Sequence, residues 1–449
     1  MEEKNKLGTE SIPKLLRQFA IPSIISMLVT ALYNIVDQFF IGQKIGPLGN
    51  AATNIVFPFS TSCIALALLF GIGGASAFNL TLGRGDKDGA MYYVGNAISM
   101  MITSGICLFV FVEILLPDFL SLFGCPADVY DYAMEYTRIT AIGFPFIIFS
   151  TGASTLVRAD GSPTYSMLCN LAGAIINTIL DPILVFSMGM KGAAIATVIG
   201  QIISALMVVI YLTRFKTARI SKKHLIPNAS KIGRLSALGA TPCLNQVAMM
   251  IVQIVLNKSL TYYGKLSSYG DSIPLACAGI VSKVNQIYFS VVIGLSQAMQ
   301  PILSYNYGAR NYERVKKTCY YAGVAGLSIS VLSFLAFQIF PRQITAIFGN
   351  GSEVYYTFAI NYFRIFLLGT FINCLQPMTS NFFTSIGKAT HGIFLSLTRQ
   401  IIFLLPLILI FPFFMGIDGI MYAGPVADII AAICSIIFFV KESKKLSLT

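Results

Sequence analysis

Charge is scarce in this sequence. Only 11% of its 449 residues are charged and 55% are hydrophobic, whereas an ordinary soluble domain carries about 25% charged residues. A soluble chain of this length could not cover its surface with so few charges. The apolar residues also fall into runs of about 20 or more, which is long enough for a helix to cross a bilayer. The composition excludes a soluble enzyme or a nucleic-acid-binding protein and predicts an all-α integral membrane protein.

Residues that build metal sites and disulfide frameworks are also scarce. Tryptophan is absent, and the two histidines, His224 and His391, stand far apart, which argues against a zinc site. The nine cysteines include no CxxC pair, so a disulfide framework is not expected. The sequences HExxH and GxSxG are missing too, which argues against the alternative of a membrane-embedded enzyme. We therefore predict no enzymatic activity and no cofactor.

Apolar segments predict twelve transmembrane helices. With both termini in the cytoplasm, 22 of the 31 Lys and Arg fall on the cytoplasmic side and 6 on the opposite side, which satisfies the positive-inside rule. We therefore predict a multi-pass protein of the cell membrane, plasma or inner, with both termini cytoplasmic. The predicted spans are 14–41, 50–81, 91–116, 130–157, 163–187, 191–213, 233–262, 273–305, 316–340, 355–382, 390–414 and 418–440.

The chain divides into two similar halves. A basic linker, residues 214–234, separates a six-helix N-terminal lobe, 1–213, from a six-helix C-terminal lobe, 235–449. Tyr136–Ile139, five residues before Phe144 and Pro145, recurs 226 residues later as Tyr362–Ile365. A repeat of six helices keeps its orientation in the membrane, as in transporters that work by alternating access between two lobes.

Carboxylates inside the predicted spans are the main candidates for function. An isolated carboxylate in lipid costs about 2.5–3.5 kcal/mol on insertion scales, so Asp37 and Asp181 need a reason to be there. Asn177 lies one helical turn before Asp181, and Pro182 leaves a backbone carbonyl without its helical partner. Such oxygens suit a small cation, and a proton is the alternative because burial favours the neutral carboxyl.

The two lobes differ at these acids. Aligning Pro22 with Pro242 places Asn257 opposite Asp37, and the fifth and eleventh spans place Leu405 near Asp181. Both acids of the first lobe are therefore missing from the second. Packing alone gives no reason for this asymmetry, whereas a single coupling-ion site in the N-terminal lobe explains it. A structural hydrogen bond is the alternative interpretation of the two acids.

Other charged residues inside the spans are less informative. Asp428 and Glu113 fit a structural role as well as a functional one. For Arg364, Arg399 and Lys283 we expect a packing role, with the cations paired to backbone carbonyls.

Six short motifs lie in order along nearly the whole chain. They are Val36–Gly42, Leu82–Gly85, Arg158–Gly161, Asn177–Pro182, Gly192–Thr197 and Gln300–Gly308. Together they resemble the MATE (multidrug and toxic compound extrusion) transporters, and the bacterial MepA-like branch in particular.

This resemblance implies a fold and an activity. The fold would be twelve helices in two pseudo-symmetric six-helix bundles, of MATE/MOP type, acting as a monomer in the bilayer. The activity would be export of small amphipathic, often cationic drugs and toxic compounds by Na⁺ or H⁺ antiport. A lipid-linked glycan flippase of the same superfamily is the alternative. The few intramembrane arginines argue against it.

The resemblance also implies roles for individual residues. The first helix of the family moves, and the bend at Pro22 together with Tyr33 fits that gating role. The acids that the NorM-type branch uses in the second lobe are missing here. The coupling cation, Na⁺ or a proton, would be held in the first lobe by Asp37, Asn177, Asp181 and Thr197.

Overall fold

The computed structural model describes residues 5–270, 272–348 and 352–448, and these are almost entirely helical. In the first half the helices are α1 (Lys6–Thr9), α2 (Ile12–Lys44), α3 (Pro47–Gly83), α4 (Lys87–Leu122), α5 (Ala127–Ile142), α6 (Phe144–Ala159), α7 (Pro163–Met188) and α8 (Met190–Leu212). The linker contains α9 (Lys222–Leu225). In the second half they are α10 (Ala229–Lys265), α11 (Ser272–Gly308), α12 (Tyr312–Ile339), α13 (Pro341–Ile347), α14 (Glu353–Phe366), α15 (Leu375–Ser385), α16 (Ala389–Leu397), α17 (Leu405–Met415) and α18 (Ile417–Leu448).

The fourth predicted span is bent. Within the described ranges, eleven helices are long and apolar enough to cross a membrane, and the pair α5 and α6 makes a twelfth crossing with a 53° bend. The sequence predicted one continuous helix over 130–157. Pro145, in the first turn of α6, lacks the N–H that would continue the hydrogen bonds of α5. Gly143 stands at the bend, where an added Cβ would lie 2.2 Å from Oε1 of Gln201.

The second half is irregular at the corresponding point. A 3₁₀ turn, Leu368–Ile372, joins α14 to α15, and it contains Gly369, which is 226 residues after Gly143. An added Cβ at Gly369 would lie 2.5 Å from the Cβ of Asp428. The next span contains a π-helical turn, Thr398–Leu404, between α16 and α17. Irregular backbone at membrane depth is tolerated where protein covers it.

The loops after the second and eighth spans repeat each other. Asp86 caps α4 by accepting a hydrogen bond from the N–H three residues on, at 2.8 Å. Asn311 caps α12 in the same way at 3.3 Å. The residues before the caps, Gly85 and Arg310, both have positive φ, +86° and +57°. The repeat seen in the sequence is therefore also a repeat of backbone conformation.

Each half has its own apolar core. One buried cluster extends from Ile41 to Leu238, and the other includes residues from Val252 to Leu446. The beginning of α2, including Leu15 and Phe19, belongs to the second cluster although it is the first long helix of the chain. The helix α2 therefore connects the two cores.

The two halves meet through close contacts at the helix ends near these repeated loops. The helix α3 packs along α10, and α2 packs along α11. An added Cβ at Gly83 would lie 2.1 Å from the carbonyl oxygen of Tyr305, and one at Gly308 would lie 2.2 Å from that of Leu80. The two contacts are reciprocal, since each glycine faces the carbonyl three residues before the other glycine. Only residues without a side chain allow the backbones to approach so closely.

The linker is attached to the first half at both ends. The buried carboxylate of Asp160 accepts hydrogen bonds from the backbone N–H of Lys216 at 2.6 Å and of Thr217 at 3.0 Å, and from the Thr217 hydroxyl at 2.6 Å. At the other end, Oδ1 of Asn96 accepts from the N–H of Asn228 at 2.7 Å. These bonds fix the path of the linker over the ends of α4 and α6.

Candidate functional site

The helix α2 carries Asp37 about two turns before its end. Nearer its start, two serines of α2 are tied to the neighbouring helices of the first half. Nη1 of Arg158 donates to Oγ of Ser23 at 3.3 Å, and Nδ2 of Asn170 donates to Oγ of Ser26 at 2.7 Å. Polar bonds of this kind hold helices together in an apolar environment. They fix the part of α2 that precedes Asp37.

The helices α7 and α8 bring three more of the predicted residues together. Asn177 and Asp181 lie on one face of α7, as their spacing predicts, and both are buried. Nδ2 of Asn177 donates to Oδ1 of Asp181 at 3.3 Å and to Oγ1 of Thr197 on α8 at 3.4 Å. The amide of Asn177 therefore orients both of its neighbours.

Three oxygens in this group lack a hydrogen-bond partner. They are Oδ1 of Asp37, Oδ1 of Asn177 and Oδ2 of Asp181, and each is shielded from solvent. An unpaired buried polar atom costs about 1–3 kcal/mol, and more when it is charged. A folded protein that keeps three such oxygens together gains from any ligand that satisfies them.

The chemistry of these oxygens matches a small cation. Carboxylate and amide oxygens are hard ligands of the type that binds such ions. The carboxylates of Asp37 and Asp181 are also near enough to repel each other, and a bound cation or proton would relieve that repulsion. Within the described ranges, no three or more His, Cys, Asp or Glu side chains gather as a metal site.

A small cavity lies beside this group, inside the first half. Its volume is about 40 Å³, and Thr197 lines it together with Tyr136 and Gln201. Tyr136 interacts with Thr197 and with the charge of Asp37, and Oε1 of Gln201 has no hydrogen-bond partner. Neither residue is predictable as a site candidate from the sequence, because Tyr136 stands out only as part of the repeated Tyr136–Ile139 motif and Gln201 carries no signal.

The two predicted gating residues occupy different positions. Tyr33 lies one turn before Asp37 and interacts with the charges of Asp37 and Asp181. Pro22 is buried within α2, but 15 residues of helix place it about 22 Å from Asp37. Tyr33 thus belongs to the group itself, and Pro22 can act on it only through the helix.

In the part of the second half that the structure describes, no equivalent group of carboxylate oxygens is found. Asn257, opposite Asp37 in the repeat, is exposed, and its Oδ1 accepts from Nε2 of Gln253 at 2.9 Å. In the described part of that half, the buried side-chain oxygens without a partner belong to amides and hydroxyls rather than carboxylates. They are Thr241, Asn285, Gln297, Tyr362 and Asn373.

Asp428, a buried acid of the second half, has a cation as its partner. Nε of Arg399 lies 2.5 Å from Oδ1 of Asp428, and both side chains are buried. The sequence predicts a packing role for Arg399 with a backbone carbonyl as its partner. The predicted partner is wrong, because α18 presents a carboxylate to Arg399. Arg364 does bond a carbonyl, that of Gln338, at 3.3 Å.

The amino-acid sequence matches a family model over both halves. The model is that of MatE, and it covers residues 22–183 and 243–410. A protein named Multidrug export protein MepA from Staphylococcus haemolyticus (strain JCSC1435) is 26% identical over 435 residues, which are 94% of this chain and 92% of that protein. A protein of the same name from Staphylococcus aureus (strain NCTC 8325 / PS 47) is 24% identical, with the same coverage.

Solved structures share the fold along the whole chain. A multidrug resistance MATE family transporter of the MOP superfamily, in an outward-facing conformation, superposes with a TM-score of 0.91 at 22% identity, covering 98% of each chain. A MATE protein in a straight conformation gives a TM-score of 0.90 at 24% identity, covering 99% of each chain. The prediction of an all-α membrane protein with two six-helix bundles is confirmed by this likeness.

Proposed function

The chain belongs to the MatE family, and on that basis we propose that it exports small amphipathic, often cationic organic compounds through the cell membrane by antiport with Na⁺ or H⁺. It is a transporter and not an enzyme. The family model covers both halves of the chain, and the relatives that match nearly its whole length are named multidrug export proteins.

The proposed coupling-ion site consists of Asp37, Asn177, Asp181 and Thr197. The observation that supports this site is that Asp37, Asn177 and Asp181 each have one buried side-chain oxygen without a hydrogen-bond partner. Thr197 completes the group through its contact with Asn177 at 3.4 Å. Either Na⁺ or a proton would remove the repulsion between the two carboxylates.

Coupling requires that the ion bind one lobe arrangement more tightly than the other. The helix α2 suits this purpose, because it carries Asp37 and Tyr33 near one end and packs into the core of the second half near the other. A cation that draws Asp37 toward Asp181 pulls on α2 between these two attachments. Pro22 lies between them and provides the place where the helix can bend.

Buried arginines support a drug exporter over a glycan flippase. A flippase for an anionic lipid needs cations that face a central cavity. Here Arg158 is buried and donates to Ser23, and Arg399 is buried and paired with Asp428. Both guanidinium groups are therefore engaged in packing within a half.

We place both termini in the cytoplasm. The support is the distribution of Lys and Arg, since 22 of 31 fall on the side of the termini and the linker. In this orientation the close contacts between Gly83 and Gly308 lie on the cytoplasmic side, so the described conformation is closed toward the cytoplasm.

The test is dye efflux from proteoliposomes under an imposed Na⁺ gradient, an imposed pH gradient, or neither. We expect one of the gradients to accelerate efflux of a cationic dye by the wild-type protein. Asp37→Asn and Asp181→Asn should each reduce this acceleration about tenfold or more, since the coupling free energy between two ligands is typically worth about 5–150-fold.

The matched control is Asp118→Asn, the same chemical change at an exposed acid of α4, which should keep the wild-type rate. Wild-type rates in both site variants would refute the ion site and leave the exporter intact. Absence of gradient-driven efflux by the wild-type protein, for a panel of cationic and neutral dyes, would refute antiport itself.

A further inference from the structure

The helix α11 carries a lysine on the face that it turns toward the first half. Lys283 lies about three turns before Gly294 on this face. At Gly294 the helix is in close contact with α2, since an added Cβ would lie 2.7 Å from the Cα of Ile24. At Gly279, one turn before Lys283, an added Cβ would meet nothing within 4 Å. The two helices therefore diverge, and Lys283 lies beside a cleft between the halves.

The lysine lies at the depth of the coupling-ion group but on the other side of α2. The helices α2 and α11 are antiparallel, since the residues before α2 contact the last turns of α11. Lys283 is therefore level with Ile35, about three turns along α2 from Ile24. Asp37 lies on the opposite side of α2, where it interacts with the charge of Asp181. The ion group and the lysine thus occupy separate surroundings.

Among the residues that the structure describes, Lys283 has no partner. Its Nζ donates to no carbonyl and pairs with no carboxylate there, so the carbonyl partner that the sequence predicts for it is wrong. The side chain is half-buried, and Gln286, one turn later on the same face, is exposed. A cation within a membrane span is costly to keep and marks a functional site when it faces a water-filled cavity.

The neighbouring wall of the cleft is polar and uncharged. The helix α10 approaches α3 closely at Gly239, where an added Cβ would lie 1.7 Å from the carbonyl oxygen of Leu69. The same face of α10 continues with Gln253 and Asn257, whose side chains bond each other at 2.9 Å. Amides of this kind can bond a ligand but supply no charge. The positive charge of Lys283 is therefore not balanced by this wall.

We propose that Lys283 binds a carboxylate of the exported compound, so that the transporter prefers zwitterionic amphipathic compounds to purely cationic ones. The inference rests on the proposed function and narrows its substrate class. An unbalanced lysine repels a compound that carries only positive charge, whereas a carboxylate gains a charge-assisted hydrogen bond from Nζ. The place is suitable too, because two-lobe transporters bind substrate between the lobes near the middle of the bilayer.

The experiment compares two rhodamine dyes that differ at one group. One has a free carboxylate and is zwitterionic, and the other is its ethyl ester and is cationic. Their binding to the purified full-length protein in neutral detergent is measured by fluorescence anisotropy. We expect the wild-type protein to bind the acid more tightly than the ester. Lys283→Met, which removes the charge and keeps a long side chain, should weaken binding of the acid about tenfold and leave that of the ester unweakened.

The matched control is Lys258→Met, the same substitution at an exposed lysine of α10. Lys258 lies one turn after the exposed Ile254, away from the face of Gln253 and Asn257, so this variant should keep both affinities. Lys283→Arg keeps the charge and should keep the preference for the acid. Equal weakening of acid and ester in Lys283→Met would indicate a structural role and overturn the proposal. Unchanged binding of the acid in that variant would overturn it as well.

A competition in the wild-type protein needs no variant and so is independent of misfolding. Benzoate should displace the acid dye, and benzamide, which has a similar shape and no charge, should not do so at the same concentration. Equal displacement by both would overturn the proposal, as would a wild-type protein that binds neither dye. No gradient is imposed in these measurements. A protein that prefers the acid but shows no gradient-driven efflux would therefore refute antiport and keep the carboxylate site.

Discussion

At the scale of single residues, the most unusual backbone position is Arg310. Its φ of +57° is the one positive value found at a residue other than glycine within the described ranges. The corresponding residue in the first half is Gly85, with a φ of +86°. An L-residue in this region costs roughly 1–2 kcal/mol, so the second loop holds its shape against a strain that the first loop lacks.

We therefore expect Arg310→Gly to stabilise the protein by about 0.5–1 kcal/mol, because relief of the strain exceeds the extra entropy of glycine in the unfolded chain. The measurement is the apparent melting temperature in detergent, which should rise. Ala309→Gly, one position earlier and at negative φ, is the control and should lower it. A fall with Arg310→Gly would contradict the account of strain.

Residues of the candidate site were predictable only in part. Asp37 and Asp181 stand out in the sequence because a carboxylate within an apolar run needs a reason to be there, and the turn spacing added Asn177. Tyr136 and Gln201 gave no comparable signal, since uncharged polar residues are common in membrane helices. Only the packing of α5 and α8 against the ion group brings them to its edge.

At the scale of elements, the twelve spans were predictable because each needs about twenty apolar residues. The breaks within them were not. The bend after α5 has a local cause in Pro145, but prolines inside other spans, such as Pro58 in α3, do not interrupt their helices. The π-helical turn at Thr398–Leu404 has no proline or glycine, and it coincides with the buried pair that Arg399 makes with Asp428.

The linker is an element whose attachment can be tested. We expect Asp160→Asn to loosen the linker. The two carboxylate oxygens of Asp160 accept from the N–H groups of Lys216 and Thr217 and from the Thr217 hydroxyl. The amide of asparagine has a single acceptor oxygen, and its NH₂ group cannot accept from these donors. Hydrogen bonds to a charged group contribute about 1.5–3 kcal/mol each. Trypsin cleavage after Lys216 should therefore become about tenfold faster or more.

The control for this experiment is Asp86→Asn, the same substitution at the cap of α4. Asparagine and aspartate are equally good caps, so cleavage of the linker should stay at the wild-type rate. Equal cleavage of the Asp160→Asn variant and the wild-type protein would show that the linker is held by its other contacts.

At the scale of the whole molecule, the glycine contacts between the halves define one conformation. Gly83→Ala and Gly308→Ala should each disfavour the described closure, because the added methyl group meets a carbonyl oxygen at 2.1 or 2.2 Å. Overpacking costs about 1–3 kcal/mol, which corresponds to a roughly fivefold to hundredfold change in the ratio of closed to open molecules.

Spin labels at the exposed positions 222 and 309, in a protein without its native cysteines, would report this change as a longer distance between the halves. Gly323→Ala is the matched control, since an added Cβ there meets nothing within 4 Å, and it should leave the distance distribution unaltered. An unaltered distance distribution in both Gly83→Ala and Gly308→Ala would contradict the role assigned to these contacts.

The reciprocity of the glycine contacts bears on the ancestry of the chain. Each half contributes a glycine and a carbonyl from equivalent positions of the repeat. In a two-fold symmetric interface the same surface of both partners makes the contact in this reciprocal way. One half, with an even number of crossings, could dock on a second copy of itself in this manner without inverting in the bilayer. A homodimer of a six-helix ancestor would thus already have these contacts, and after gene fusion the two halves could differ, with carboxylates kept in only one of them.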